Sequence, residues 1–367
     1  MKVPFIDFNY ELEGNEEEYS ELLLNHIRNG EFIGGNAVSE FEDSLAEYLQ
    51  TENVISVGNG TDALIIALES LELTKKEVIV PAFSFFATSE AIVQAGLVPK
   101  FVDVSIEDCN IDTAQIEKNI SKNTGAILPV HLFGKSSNMT EILSLSEKYN
   151  LNIVEDTAQS FGTKFNENFL GTMGDVGCLS FFPTKTLGAY GDGGAIVTDN
   201  KKIAERARML KNHGASKKYY NEIIGYNSRL DSLQASFLNI KIKNVSKLIS
   251  LRKEAGEFYN KIFEDNDKLT ILGNKDSTFN YYSIIIKNDM RDELQNYLTG
   301  EGIACAIYYP RTLPSLPAHN VPDSFPNAEF LANNILSIPI FPSIQQKQQI
   351  YVAEKINEFF SIKKLKQ

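Results

Sequence analysis

The chain reads as an α/β protein: a mostly parallel sheet between helices, followed by a smaller α/β domain. Three observations predict it. Short β-branched runs alternate with helical patterns through the first two-thirds of the sequence, as crossover-connected parallel sheets require. From Arg229 onward the pattern changes to a long amphipathic stretch. The 367 residues also exceed what one hydrophobic core usually serves. A large domain over 1–245, including the N-terminal arm, and a small one over 246–367 are therefore expected.

The elements follow in order. Strands are expected at 53–57, 77–80, 98–102, 125–129, 151–155, 177–182 and 194–198, each a short run with apolar residues, most of them carrying Val or Ile. Helices are expected between them at 61–71, 86–94 and 140–149. Leu230, Leu233, Phe237, Ile240, Val245 and Leu248 recur at helical steps and predict one long helix carrying the second domain. Beyond it, strands at 281–286 and 304–309 and helices at 292–298 and 344–360 complete the pattern. The proline-rich stretch 310–326 reads as a surface loop.

Composition narrows the function. A net charge of −13 is wrong for a nucleic-acid or anionic-membrane partner, both of which need a basic face. No run approaches the ~18 apolar residues of a membrane span, and the start lacks the apolar stretch of a signal peptide. Cys109, Cys178 and Cys305 are odd in number and scattered, which argues against disulfides and for the reducing cytoplasm. His26, His131, His213 and His319 show no metal-ligand spacing, so no metal is expected.

Gly58-Asn59-Gly60-Thr61-Asp62-Ala63 lies between a strand and a helix. Small residues there let the backbone approach an anion, and the first-turn amides bind phosphate, with Thr61 able to cap the helix and donate its hydroxyl. A dinucleotide site would need a carboxylate at the end of the next strand. That strand instead runs into Pro81-Ala82-Phe83. A single phosphate fits better, and an ordinary capped helix is the competing reading.

In the run 180–194 one lysine, Lys185, is hemmed by Pro183, Gly188, Gly191, Gly193 and Gly194. Desolvation there favours the neutral, nucleophilic amine of a Schiff-base lysine. Asp156 stands at the C-terminal end of an apolar strand, the edge at which parallel sheets bind ligands. A buried Asp needs a partner, and the protonated ring nitrogen of pyridoxal 5′-phosphate (PLP) is one, although capping the next helix is another use. Phosphate loop, Asp and Lys together are more specific than any of them singly.

With these stretches, 80–88, 129–134 and 225–235, the sequence resembles the DegT-type nucleotide-sugar aminotransferases, a branch of the aspartate-aminotransferase fold with a seven-stranded-type sheet. The resemblance implies Lys185 and Asp156 as the catalytic pair on PLP or its pyridoxamine form. It implies Gln159 near the ring's phenolic oxygen, Phe85 on the ring face, and Gly60, Thr61 and Ser180 on the phosphate. Asn227 would reach the phosphate of a neighbouring subunit, so a homodimer with shared sites is implied. Related sugar dehydratases carry His where this chain has Lys185. Many relatives read His-Tyr-Pro where this chain has Tyr308-Tyr309-Pro310, which makes Tyr308 the residue expected to face the sugar. Tyr190, Lys217, Lys218 and Arg229 are the other substrate-binding candidates. The implied reaction is amination by glutamate at C-3 of a dTDP-linked keto-6-deoxyhexose, with C-4 amination the alternative, for surface polysaccharide.

Overall fold

The computed structural model describes residues 1–272 and 276–364. Seven strands form the central sheet, in spatial order Asn53–Val57, Gly194–Thr198, Val176–Ser180, Asn152–Asp156, Thr124–Ile127, Glu77–Pro81 and Val98–Val102. All pairings from Val176–Ser180 to Val98–Val102 are parallel. Gly194–Thr198 alone runs antiparallel to both its neighbours. The expected strands at 53–57, 98–102 and 194–198 coincide with those observed, and the others move by one or two residues at an end. The interior strands are buried over nearly their whole length because helices cover both faces. One of these helices, Gly60–Ser70, is itself nearly enclosed, with Ala63 through Leu68 all buried.

The helix expected from Arg229 is two helices, Ser232–Ile242 and Val245–Phe263. Asn244 leaves the helical conformation between them, and its amide closes a tight turn onto Lys241 O. So short a break preserves the three- and four-residue spacing of apolar positions, which is why the sequence reads through it. The first helix packs on Asn36–Leu49. The second lies over a three-stranded antiparallel sheet, Leu269–Ile271, Tyr282–Ile286 and Ile335–Ile338, with Arg291–Gly300 and Gln346–Lys364 alongside.

Two further expectations change. The strand expected at 304–309 is reduced to one bridge between Ala306 and Ser337, after which the chain turns to present Tyr308 and Tyr309 to a cavity. The proline-rich stretch is not wholly on the surface. Thr312, Leu313 and Pro314 are buried, the Leu313 amide donates to Ala82 O, and His319 meets Ser89. Apolar residues at 313–335 thereby join the core of the large sheet. Conversely, Val3 pairs beside Ile303 and is buried in the core of the small sheet. Packing therefore crosses the expected 245/246 boundary in both directions. Among the described residues no helix is long and apolar enough to cross a membrane.

Candidate active site

The C-terminal ends of the parallel strands meet at one edge, the edge where such sheets hold ligands. There they open on a cavity of about 640 Å³. The loop after Asn53–Val57 forms one side of it. Asn59 is the N-cap of the next helix, its Oδ1 accepting from the Asp62 amide at 2.8 Å. Thr61, read from sequence as a cap, is instead inside the first turn. Asn59 takes the cap because its backbone is extended immediately before the helix begins at Gly60, which leaves its side chain free to accept from the first turn. Ser228 clamps the loop from below, accepting from the Gly58 amide at 2.9 Å and donating to Asp62 Oδ2 at 2.6 Å. The first helical turn leaves amides without intrahelical partners, and Gly60 and Thr61 both line the cavity. Gly60 must be glycine: a Cβ there would sit 2.7 Å from Ser180 Cβ.

Asp156 ends the central strand and is 5% exposed. Its Oδ2 accepts from Thr88 Oγ1 at 2.8 Å and its Oδ1 from the Ala158 amide at 3.1 Å. Burial pushes this carboxyl above the usual range. The hydrogen bonds from Ala158 and Thr88 and the charge of Lys185 pull the other way. Its neighbour Glu155 faces the opposite side of the strand and is wholly buried. It accepts from the amides of Gly171, Met173 and Gly174 and from His131 Nε2. Burial works against the charge of Glu155, but these donors hold its carboxyl below the usual range. The Ser137 amide donates to His131 Nδ1, so the ring proton sits on Nε2 and points at Glu155. Two adjacent acids thus have separate fates, one structural and one facing the cavity.

Lys185 lies in the turn after Val176–Ser180, its amide bonded to Phe182 O. It is half-buried, less enclosed than its glycine-dense setting suggests. Its Nζ lies 5.9 Å from the centre of the Tyr281 ring and has no hydrogen-bond or ion-pair partner among the described residues. Lys185 and Asp156 line the same cavity.

Of the other predicted residues, Gly60, Thr61, Phe85, Gln159, Ser180 and Tyr308 also line it. Phe85 is 55% exposed, an unusual setting for a phenyl ring that is open to a flat ligand. Gln159 Oε1 accepts from the Phe133 amide and its Nε2 donates to the Tyr309 hydroxyl, which fixes its orientation. Five predicted residues lie outside this cavity. Tyr190 packs edge-on against Phe237, with Lys241 Nζ 3.7 Å above its ring. Lys217 and Lys218 are exposed on a hairpin and cover their own neighbours Tyr220 and Tyr219. Arg229 is half-buried beside Ser228, and Asn227 is exposed. The sequence reading passed over Asn59, Ser228, Ser84, Thr88 and Tyr281. Asn59 carried a usable signal, since Asn immediately before a helical run is a strong cap. The others meet the site only through tertiary contacts.

The donor set fits PLP. Free first-turn amides and Ser180 suit a phosphate, a buried carboxylate suits a pyridinium, an unpaired amine suits an aldehyde, and Phe85 suits an aromatic face.

Comparison with known proteins agrees with this geometry. Residues 14–357 match the DegT/DnrJ/EryC1/StrS aminotransferase family. The chain is 38% identical to a pleiotropic regulatory protein of Geobacillus stearothermophilus, over 98% of this chain and 99% of that one. It is 35% identical to the UDP-N-acetyl-3-dehydro-alpha-D-glucosamine 3-aminotransferase of Acidithiobacillus ferrooxidans, over 96% and 97%. The crystal structure of DesV from S. venezuelae in complex with a ketimine intermediate superimposes with a TM-score of 0.93. The two share 32% identity, with 98% of each chain covered.

Proposed function

This chain belongs to the DegT/DnrJ/EryC1/StrS aminotransferase family and is a PLP-dependent nucleotide-sugar aminotransferase; on that premise we propose that it aminates C-3 of a dTDP-linked 3-keto-6-deoxyhexose. Glutamate is the proposed amino donor and surface polysaccharide the proposed destination of the sugar. The observation that carries the reading is the meeting of Lys185, Asp156 and the Gly60–Thr61 turn around one cavity. Relatives named for position 3 support it, among them a dTDP-3-amino-3,6-dideoxy-alpha-D-galactopyranose transaminase at 33% identity. GDP-perosamine synthase, also at 33%, favours C-4 amination as the second reading.

When bound, PLP supplies an aldehyde for the amine and an electron sink for the charge that develops as a C–H bond breaks. The residues of this chain do the rest. The first-turn amides of Gly60 and Thr61, with Ser180, hold the phosphate. Asp156 holds the ring nitrogen protonated, and Gln159 orients the phenolic oxygen. Lys185 Nζ has no competing partner among the described residues, so it would take the proton from the donor α-carbon in one half-reaction and deliver a proton to the sugar carbon in the other. Tyr308 faces the sugar. Asn227 serves the neighbouring site of a homodimer. Its position outside its own cavity supports that role, as does the exposed apolar run Leu23, Leu24, Ile27, Phe32 and Ile33.

Replacing Lys185 by Ala removes both turnover and the visible absorbance of the loaded protein; a variant retaining the two would end the proposal. Assaying dTDP-linked 3-keto and 4-keto 6-deoxyhexoses side by side with glutamate separates the two positions. Preference for the 4-keto sugar transfers the assignment to C-4.

A further inference from the structure

Asp156 is the end of a hydrogen-bond chain whose direction is forced. Thr88 Oγ1 donates its proton to Asp156 Oδ2 at 2.8 Å. A hydroxyl has only one proton to give, so at its 2.9 Å contact with Ser84 Oγ the threonine accepts and Ser84 donates. All three side chains are buried. They come from three segments: Ser84 from the loop after Glu77–Pro81, Thr88 from the helix Phe86–Gln94, and Asp156 from its own strand.

We propose that Ser84 and Thr88 are positioning residues that keep Asp156 ionised, oriented and ready to receive the ring N–H of the cofactor. The proposal rests on the placement of Asp156 against that nitrogen given above. A buried carboxylate stays charged only where donors replace the water it has lost. Asp156 has no ion-pair partner within 4 Å among the described residues. Of its two recorded donors, the Ala158 amide is backbone and Thr88 is the one side chain. Donation from Ser84 polarises the threonine hydroxyl and strengthens its bond to the acid. The other titratable groups acting on or through Asp156 are Lys185, His131, Cys178 and Tyr309, with Glu155 adjacent in the strand. None of them donates a hydrogen bond to its carboxylate. Without Thr88 the burial of Asp156 goes less opposed, so it takes up a proton at higher pH. A protonated carboxyl no longer offers that oxygen as an anionic acceptor.

The test uses the full-length protein stripped of and reloaded with PLP, titrated across a pH series. It reads the dissociation constant for PLP and the pH dependence of the visible absorbance. Thr88→Val, which keeps the shape and removes the hydroxyl, weakens PLP about tenfold near neutral pH. Its loss of affinity on acidification begins at higher pH than in the wild type. Thr88→Ser restores both readings, and Ser84→Ala moves them in the same direction by less. Thermal melting of each cofactor-free variant checks folding, and Ser84→Ala carries the test should Thr88→Val fail to fold. Wild-type affinity and pH dependence in Thr88→Val, or no restoration by Thr88→Ser, overturns the inference. Asp156→Ala separates the two levels. If it leaves PLP affinity and absorbance unchanged, the underlying placement of Asp156 falls; if it alters them while Thr88→Val does not, only the relay falls.

Discussion

At the scale of residues, the adjacent acids Glu155 and Asp156 respond to pH in opposite senses. The carboxyl of Glu155 is held below its usual range in the folded protein. Its stabilising contribution is therefore complete above the unfolded carboxylate range and is lost as pH falls through the folded value. Asp156 is raised, so its charge is a cost above that value, relieved on acidification. Glu155→Gln places an amide N–H₂ among the donors of Gly171, Met173, Gly174 and His131. It lowers stability at neutral pH by about 3 kcal/mol and flattens the fall of stability toward acid. Urea midpoints measured from neutral to acid pH check both; an unchanged acid limb would mean Glu155 is not the group being titrated. The sequence brought Lys185 and Asp156 to attention as an amine in a glycine-dense turn and an acid at the end of a buried strand, and the fold puts both on one cavity. Thr88 and Ser84 were not legible from sequence, since a buried hydroxyl is silent until its partner, far along the chain, is known.

At the scale of elements, the turn that opens Gly60–Ser70 works through close backbone approach. Gly60→Ala directs a methyl at Ser180, at a distance no real Cβ adopts. Ser180 or the turn then moves, at a cost of about 1–3 kcal/mol. The amides lose their aim, and PLP affinity falls about tenfold or more while the secondary structure seen by circular dichroism stays. Equilibrium titration with PLP checks this, and undiminished affinity would remove the turn from the cofactor site. Alternating β-branched runs and helical steps placed the sheet well, because all but the edge strand Val98–Val102 are buried over most of their length and their composition leaves little choice. The same periodicity misled where an element ends without changing face, as at Asn244. It also misled at 304–309, where apolar residues line a cavity rather than a strand. Pattern reading detects burial; it does not say what does the burying.

At the scale of the whole molecule, the exposure of Asn227 and its absence from the cavity lining support the proposed homodimer with shared sites. If Asn227 serves the neighbouring subunit, Lys185→Ala and Asn227→Ala proteins complement each other. A mixed dimer then holds one site with the lysine of one chain and the asparagine of the other. Co-expressing the two variants under separate tags and isolating the mixed dimer yields about half the wild-type turnover per dimer. Each variant alone stays well below that. A mixed dimer no better than the Asn227→Ala homodimer assigns Asn227 to its own chain. The sequence reaches this proposed arrangement only through the family resemblance, because neither one sequence nor one folded chain contains the second copy.

Val3 is wedged beside Ile303, hydrogen-bonded to Gly302 and Ala304, while Phe5 leans on Tyr281 and Tyr308 at the cavity wall. A ribosome therefore delivers the opening residues some three hundred codons before the partners that will seat them. The large sheet can close early, on local crossovers. The cavity wall that carries Tyr281 and Tyr308 is braced only once residues 302–308 have emerged to hold Val3 and Phe5. That wall is thus completed by contacts of high sequence separation, the slowest kind to form.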